Sequence, residues 1–395
     1  MVAEPRDLVV IPYHSWSKVQ AEGARTRDAH LIVHLSELPN VRRIMIINRP
    51  VTAAECLVRT GAGRTKGEVI KKKVCRGVVR LNERTVALDY FSCDLLGPLL
   101  LRKSWFARAF GRRPFVSFVI EALAAEGFVD YDCISFNLFA APLVRHLKCR
   151  RCLFDGWDNF LEFPEHNSHS CRLHDCYADW ADMRVAWTTN SESNRDFYCS
   201  EFGLDKCEVV RNGVDVERFR KRYAAPEKLV DLPRPLVGIG AKVTHLIDTD
   251  LINYLTTAFP EVSFVLAGQI LDAGQFHRIV QRPNFHYLGD IHYRDYPAFV
   301  QQFDVCLIPY VPEERQHGGD SIKFYEYLAA DKPIVSTRMA GIDDSYEGVF
   351  TAQDKESFEA ALRRALKIRP QPRMIPDELT WRARAEAIWR VLSSR

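Results

Sequence analysis

Between Arg315 and Thr337 the sequence reads RQHGGDSIKFYEYLAADKPIVST. Gly318 and Gly319 precede Asp320-Ser321 and a short apolar run that encloses Lys323 and Glu326. Glycine lets the backbone come close to a ligand. The first N–H groups of a helix carry about half a positive charge from the helix dipole, so glycines just before a helix start suit an anion. Ser321 and Ile322 would supply first-turn N–H groups and Lys323 a cation. Glu326, three residues further on, shares the side of the helix with Lys323 and could accept two hydrogen bonds from a ribose diol. A nucleoside diphosphate fits this spacing. The plainer alternative makes Glu326 a surface partner of Lys323.

A second cue is GIGAK (238–242), where Gly238 and Gly240 permit close backbone approach at a strand end and Lys242 could reach a phosphate. The turn LGDI (288–291), with Asp290 and Ile291, offers a resting place for a nucleobase. Arg25 and Arg27 in EGARTRDAH follow the first apolar run and could clamp phosphate, although solvated arginines are equally common. CRRC (149–152) and HNSHSCRLHDC (166–176) together collect Cys149, Cys152, His166, His169, Cys171, His174 and Cys176, a loose zinc-like spacing. Buried reduced cysteine, however, behaves as a small apolar residue, and no metal site is assigned.

These residues need elements to position them. Strand-like runs DLVVIPY (7–13), VRRIMIINRP (41–50), YDCISFN (131–137), RCLFDGW (151–157) and RVAWTTN (184–190) alternate with helix-length segments such as DAHLIVHLSEL (28–38). That rhythm predicts a parallel sheet with crossover helices, doubly wound. From Pro233 it restarts with shorter loops: strands at 235–240, 262–268, 284–289, 304–310 and 333–337, and helices at 248–259 and 293–303. Helices at 355–368 and 379–392 close the chain. The stretch 211–235, with its Asn212-Gly213 turn and three prolines, marks a boundary. The fold class is therefore α/β, with two Rossmann-like doubly wound domains.

At 395 residues and 47% apolar, the chain is large enough for two cores. No apolar run approaches the roughly 20 residues of a membrane-spanning helix, nothing at the start reads as a signal peptide, and eleven cysteines are expected to be reduced thiols. A cytoplasmic protein is expected. The net charge of +3 hides an asymmetry, because Val58–Arg80 holds eight Lys or Arg residues against Glu68 alone. Such a surface attracts anionic partners, or is simply solvated. Aromatics are not interleaved with it as nucleic-acid stacking requires, which argues against a nucleic-acid partner. The apolar-basic segment 95–115 suits contact with an anionic membrane, or a core helix.

With these residues in hand, the second half resembles the nucleotide-sugar-binding domain of GT-B glycosyltransferases, most closely the retaining family-4 type. PLVGIGAKVTHLIDTDLINYLTTAFPEVSFVLAGQI, NFHYLGDIHYRDYPAFVQQFDVCLIPY and SIKFYEYLAADKPIVST follow that family's order and spacing. RCLFDGWDNF, ADMRVAWTTNSESNRDFY and VVRNGVDVERF are similar to the end of its acceptor domain and its hinge, and TWRARAEAIW to its terminal helix. The resemblance implies two domains facing a cleft: an acceptor domain over 1–215, a donor domain over 216–375, and a terminal helix over 376–395 that crosses back. It implies donor-binding roles for Gly240, Lys242, Asp290, Ile291, Gly319, Asp320, Ser321, Ile322, Lys323 and Glu326. Two departures stand out. The first glutamate of the family's pair is Gly318 here, and its usual Asn-Pro is Asp320-Ser321, so the donor sugar stays open.

Where the family often carries a histidine, this chain reads Asp155-Gly156-Trp157-Asp158. Either aspartate could orient an acceptor hydroxyl and Trp157 could stack on a sugar ring; turn and cap roles are the alternative. The resemblance implies sugar transfer with retention, from a nucleotide sugar to a glycan or lipid-linked acceptor. The leaving diphosphate, met by Lys242, Lys323 and the helix end, would take the acceptor's proton. No Asp-x-Asp in this half is read as a metal motif, so no cofactor and no essential metal are expected. Nucleotide-sugar epimerases share the fold and remain an alternative, as does a non-catalytic anion-binding protein.

Overall fold

The computed structural model describes residues 4–52, 55, 64–94, 96–101, 104–163, 170–311 and 320–394. The chain divides into two compact units, residues 1–211 with 381–395, and residues 212–380.

In the first unit the runs of Val, Ile and Leu form β1 (Arg6–Ile11), β2 (Val41–Ile47), β3 (Val51–Thr52), β4 (Glu68–Lys73), β5 (Arg76–Asn82), β6 (Thr85–Ser92), β7 (Tyr131–Ser135), β8 (Cys152–Asp155), β9 (Ala186–Thr189) and β10 (Glu208–Val209). Their order is β10-β9-β8-β7-β1-β2-β6-β5-β4, with β3 paired to β6. From β10 to β6 all neighbours are parallel. Leu8, Val9, Val10 and Ile11 are all buried, which is what a strand covered on both faces requires. The covering helices include α1 (Arg27–Glu37), α2 (Arg113–Ala125), α3 (Ser170–Asp182) and α4 (Glu192–Phe202). The closing helix Trp381–Ser393 belongs to this unit, where the Trp381 and His30 rings stack at 4.6 Å. Beneath α3 the Phe154 and Trp180 rings stack at 4.6 Å, Trp187 meets Phe154 edge-on at 4.8 Å, and the Trp180 indole N–H donates to the Leu138 carbonyl at 2.8 Å. The buried indole therefore keeps a polar partner.

An all-parallel first sheet was the expectation, and one edge departs from it. β4, β5 and β6 are antiparallel neighbours, joined by the two-residue connections Val74-Cys75 and Glu83-Arg84. Connections that short can form hairpins but not crossovers. Every residue of the edge strand β4 is exposed. Its three lysines, Lys71 to Lys73, discourage pairing with another chain's strand, which is one physical use of the basic run. The described residues of the segment 95–115 divide: Trp105, Phe110 and Phe115 are buried, while Leu96 and Leu100 are exposed.

The second unit contains β11 (Leu236–Gly240), β12 (Ser263–Ala267), β13 (Phe285–Tyr287), β14 (Val305–Ile308), β15 (Ile334–Thr337) and β16 (Val349–Ala352), all parallel, in the order β13-β12-β11-β14-β15-β16. Its helices include α5 (Thr249–Ala258), α6 (Tyr296–Gln302), α7 (Ile322–Ala329) and α8 (Lys355–Ala365). The chain winds outward one way through β12 and β13, then returns to β14 beside β11 and winds the other way. The crevice beyond the carboxyl ends of β11 and β14 is thus the topological switch point, where open α/β sheets bind ligands. Helix α7 is the next described element after β14.

Candidate functional site

Helix α7 opens at Ser321, an N-cap in extended conformation with no side-chain capping bond, and its first turn contains no acid. Among the described residues, then, no carboxylate of the helix competes for its first N–H groups, which keeps this end suited to an anion. Asp320, one residue earlier, would oppose a diphosphate if it faced the same way. It is buried instead: its carboxylate accepts from the Asn212 backbone N–H and, at 2.6 Å, from the Tyr325 hydroxyl, while the Asn212 side-chain amide donates to the Asp320 carbonyl at 2.7 Å. The acid therefore locks the start of the unit to the start of α7. This corrects its expected role in donor binding, because a carboxylate that accepts two such bonds inside the fold is fixed in place by them.

Glu326 is fully buried one turn into α7. Its Oε1 accepts from the Tyr293 hydroxyl at 2.7 Å and its Oε2 from Lys323 Nζ at 2.8 Å. Each carboxylate oxygen retains a second lone pair, and the orientation of the group is set from both sides. The Lys323 ammonium also lies over the Tyr296 ring, 4.2 Å from its centroid. The pairing of Lys323 with Glu326, posed from the sequence as the plain alternative, is thus real, but the pair is built into the fold and not laid on its surface. Burial, with the Glu326 charge beside it, pushes the Tyr293 hydroxyl well above its ordinary value, so it stays protonated and remains a donor.

The two glycines of GIGAK serve packing. A Cβ on Gly238 would fall 2.0 Å from the Phe303 ring, and one on Gly240 would fall 1.8 Å from the Tyr296 hydroxyl. The Gly240 N–H donates to the Tyr327 hydroxyl at 2.9 Å, and the Tyr296 and Tyr327 hydroxyls are 3.2 Å apart. The expectation that Gly240 makes room for a donor phosphate is therefore corrected: tyrosines fill the space. Lys242 follows, half-buried, in a segment held by Ala241 N–H to Ala267 O at 3.0 Å and Val243 N–H to Gln269 O at 2.8 Å. Gly268, with φ at +155°, lets that segment lie against β12, since a Cβ there would fall 1.8 Å from the Ala241 carbonyl. In the turn after β13, Asp290 is exposed and Ile291 packs partly into the core. Gly319 lies outside the described residues.

The acceptor-side expectations fall in the first unit and divide. Arg27 and Asp155 are both buried and bind each other: Nε to Oδ2 at 2.8 Å and Nη2 to Oδ1 at 3.0 Å, with the Thr188 hydroxyl on Oδ1 at 2.7 Å. A bidentate pair sealed in the core neither clamps a phosphate nor orients an acceptor hydroxyl, so both roles are corrected. Arg25 donates to Glu22 at 3.0 Å. Trp157 is half-buried beyond the carboxyl end of β8, its indole N–H 3.3 Å from the Phe136 carbonyl and its ring edge-on to Tyr13. Asp158 is half-buried, and its backbone carbonyl accepts from Tyr177 at 2.8 Å and Tyr198 at 3.1 Å.

Of the zinc-like cysteines, Cys149 and Cys152 meet each other and Cys133 thiol to thiol, but no described histidine of the set joins them. Cys133 and Cys152 are register partners on β7 and β8, Cys176 is buried in the core, and His174 meets Glu201 at 3.0 Å; His166, His169 and the Cys171 side chain lie outside the described residues. Among the described residues no group of three or more His, Cys, Asp or Glu is placed to hold a metal ion. Asp248-Thr249-Asp250 does spell Asp-x-Asp, but Asp248 caps α5 through the Leu251 N–H at 2.8 Å and Asp250 pairs with Arg278 at 3.2 Å. Sequence reasoning missed Tyr293, Tyr296, Tyr327 and Asn212. The i, i+3 spacing of Tyr293 and Tyr296 placed both on one face of a predicted helix and was the available signal.

Comparison with known proteins bears on the family and the fold. Residues 245–367 match the family model described as glycosyl transferases group 1. A Bacillus subtilis (strain 168) protein named as a teichuronic acid biosynthesis glycosyltransferase, TuaH, is 25% identical over 141 residues, a stretch that spans 35% of this chain and 36% of that one. Anabaena HepE in complex with UDP and glucose superposes with a TM-score of 0.58 at 15% identity, over 97% of this chain and 94% of HepE. The Burkholderia multivorans α,α-trehalose 6-phosphate synthase gives 0.61 at 14% identity, over 99% and 95%. The E. coli trehalose-6-phosphate synthase bound with UDP-2-fluoro glucose gives 0.60 at 13%, over 98% and 95%. The chain has the GT-B glycosyltransferase fold and carries the group 1 glycosyltransferase domain in its second unit.

Proposed function

We propose that this chain transfers a sugar from a nucleoside diphosphate sugar to a hydroxyl of a glycan or lipid-linked acceptor, with retention at the donor carbon. The observation that carries the reading is the N-terminal turn of α7, which the Ser321 side chain does not cap, at the switch point of the second sheet, with Glu326 fixed one turn inward. Ser321 and Ile322 N–H groups and Lys242 would take the diphosphate, Glu326 the ribose, and the turn at Asp290-Ile291 the base. The leaving diphosphate, stabilised at the helix end, would accept the acceptor's proton as positive charge builds on the donor carbon. Lys323, already paired with Glu326, would act by fixing that carboxylate. On the acceptor side Trp157 and Asp158 remain the candidates, while Arg25 would border the same face. Catalysis would use these groups with no cofactor and no essential metal.

UDP-glucose is the first donor to test, since HepE and the E. coli synthase hold UDP and glucose or a UDP sugar. We place the protein in the cytoplasm, at the inner face of the membrane. The exposed Lys71, Lys72 and Lys73 beside exposed Val69 and Val74, together with exposed Leu96 and Leu100, support contact with anionic lipid. No described helix is long and apolar enough to cross a membrane. The test is incubation with UDP-, GDP- and ADP-linked sugars and hydroxyl acceptors, with nucleotide release and the product's anomeric configuration followed by NMR. Transfer with retained configuration supports the proposal. Epimerised donor without transfer, or no turnover of any sugar nucleotide, would overturn it.

A further inference from the structure

Cys75 and Cys93 meet at the open end of the β5–β6 ladder. Cys75 ends the two-residue turn before β5, and Cys93 directly follows β6. Beyond the Arg76–Tyr90 pair, one further backbone bond, Phe91 N–H to the Cys75 carbonyl at 2.8 Å, holds the two chain segments together. The sulfurs lie 3.6 Å apart, in van der Waals contact. A disulfide needs about 2.05 Å, an approach that rotation about the two Cα–Cβ bonds can supply while the ladder stays in register. The turn is braced from outside, since Arg64 donates to the Val74 carbonyl at 2.7 Å and to the Lys73 carbonyl at 3.3 Å.

Access separates Cys93 from the other described cysteines: Cys93 is exposed, Cys75, Cys149, Cys152 and Cys199 are half-buried, and Cys133, Cys176, Cys207 and Cys306 are buried. The contact with Cys93 and burial hold the Cys75 thiol above its ordinary value and outweigh the nearby Arg64 and Arg76 guanidiniums, so oxidant access comes through the exposed Cys93. The site thus has a reachable thiol and a second thiol already in contact to resolve the first oxidation product.

We propose that Cys75 and Cys93 form a reversible oxidation site, a dithiol that a hydroperoxide or a small-molecule disulfide converts to an intrachain disulfide. With hydrogen peroxide, one thiolate sulfur attacks a peroxide oxygen and the O–O bond breaks, leaving a sulfenic acid and one water. The second thiolate then attacks that sulfur and displaces the hydroxyl as a second water. Two thiols and one peroxide give one disulfide and two waters: the cysteines are oxidised and the peroxide reduced. With glutathione disulfide, two successive exchanges leave the same bond and release two glutathione thiols. The product would tie the lysine-rich β4–β5 hairpin covalently to the end of β6. This inference stands independently of the transferase reading.

The experiment treats the folded full-length chain with graded hydrogen peroxide, and separately with glutathione disulfide, then traps remaining thiols by alkylation in denaturant and maps them by mass spectrometry. The expected result is a Cys75–Cys93 linked peptide pair, about 2 Da lighter than the two free thiols, at oxidant levels that leave the buried cysteines alkylatable, and reversed by dithiothreitol. Cys93→Ser should remove the link and leave Cys75 as a glutathione mixed disulfide. Two results would overturn the proposal: both residues still fully alkylated when other cysteines have oxidised, or both recovered as separate sulfinic acids with no link. Because the wild-type chain supplies the primary readout, folding of the variant does not decide the outcome.

Discussion

Asp320→Ala separates a structural acid from a ligand-binding one. The substitution removes the acceptor for the Asn212 backbone N–H and for the Tyr325 hydroxyl, both inside a site where Asp320 itself is 8% exposed. A hydrogen bond to a charged group contributes about 1.5–3 kcal/mol, and a buried donor left alone adds its own desolvation cost. Two such bonds set the loss at about 3–6 kcal/mol. For a unit of this size each kcal/mol moves the melting midpoint by about 2–4 °C, so the second unit's transition should fall by on the order of 10 °C. Differential scanning calorimetry should show the fall in the transition of the unit that holds all three residues. Asp320→Asn, which can satisfy only one of the two donors, should lie between. If Asp320→Ala melts like the wild type but loses nucleotide-sugar binding, the acid faces the ligand and the assignment made from the Asn212 and Tyr325 contacts is wrong.

Three further outcomes follow. Tyr293→Phe removes one of the two donors that orient Glu326 and should weaken nucleotide-sugar binding several-fold, by about 1 kcal/mol, with the fold intact; an unchanged isothermal titration would refute the positioning role. Arg27→Ala strands the buried Asp155 carboxylate and should cost about 3–5 kcal/mol in urea denaturation, whereas a loss below about 1 kcal/mol would show that the pair is solvated. For Asp28, burial alone would raise the pKa, but the His14 charge, the His14 N–H and the Thr26 hydroxyl outweigh it and hold the carboxyl well below its usual range. A depressed carboxylate stabilises the fold above its unfolded pKa and loses that contribution as pH falls, so first-unit stability should decline below about pH 4. In Asp28→Asn that decline should flatten, which urea midpoints between pH 2 and 6 would measure.

Elements were legible where burial on both faces wrote the pattern. The strands of the second unit were each anticipated within three residues at either end except β16, whose Val349–Ala352 carries two half-buried residues and too little apolar contrast. The β4–β5 hairpin was not, because Glu68–Lys73 is fully exposed and its lysines read as a solvated charge run. Within the site, position was easier to read than orientation. Residue spacing put Glu326 one turn inside a helix, but only three-dimensional packing shows that Asp320 turns to Asn212, over a hundred residues earlier in the chain. The same holds for Arg27 and Asp155: each looked like a functional polar residue near a strand end, and a contact across |i−j| = 128 turned them into a core pair. The glycines of GIGAK were correctly read as needing room, but tyrosines at 296 and 327 take it. Charge sign and helix placement are local properties; which partner a polar side chain meets is not.

Isothermal titration of UDP-glucose, UDP and free glucose into wild type and Glu326→Ala tests the nucleotide site most directly. Wild type should bind both nucleotides and ignore glucose. Glu326→Ala, melting as a folded protein, should lose at least tenfold in affinity for both nucleotides, because the ribose contact common to them is gone. Equal nucleotide affinity in the two proteins, or a wild type that binds no UDP-, GDP- or ADP-linked sugar, would contradict the assignment of the α7 terminus as the donor site.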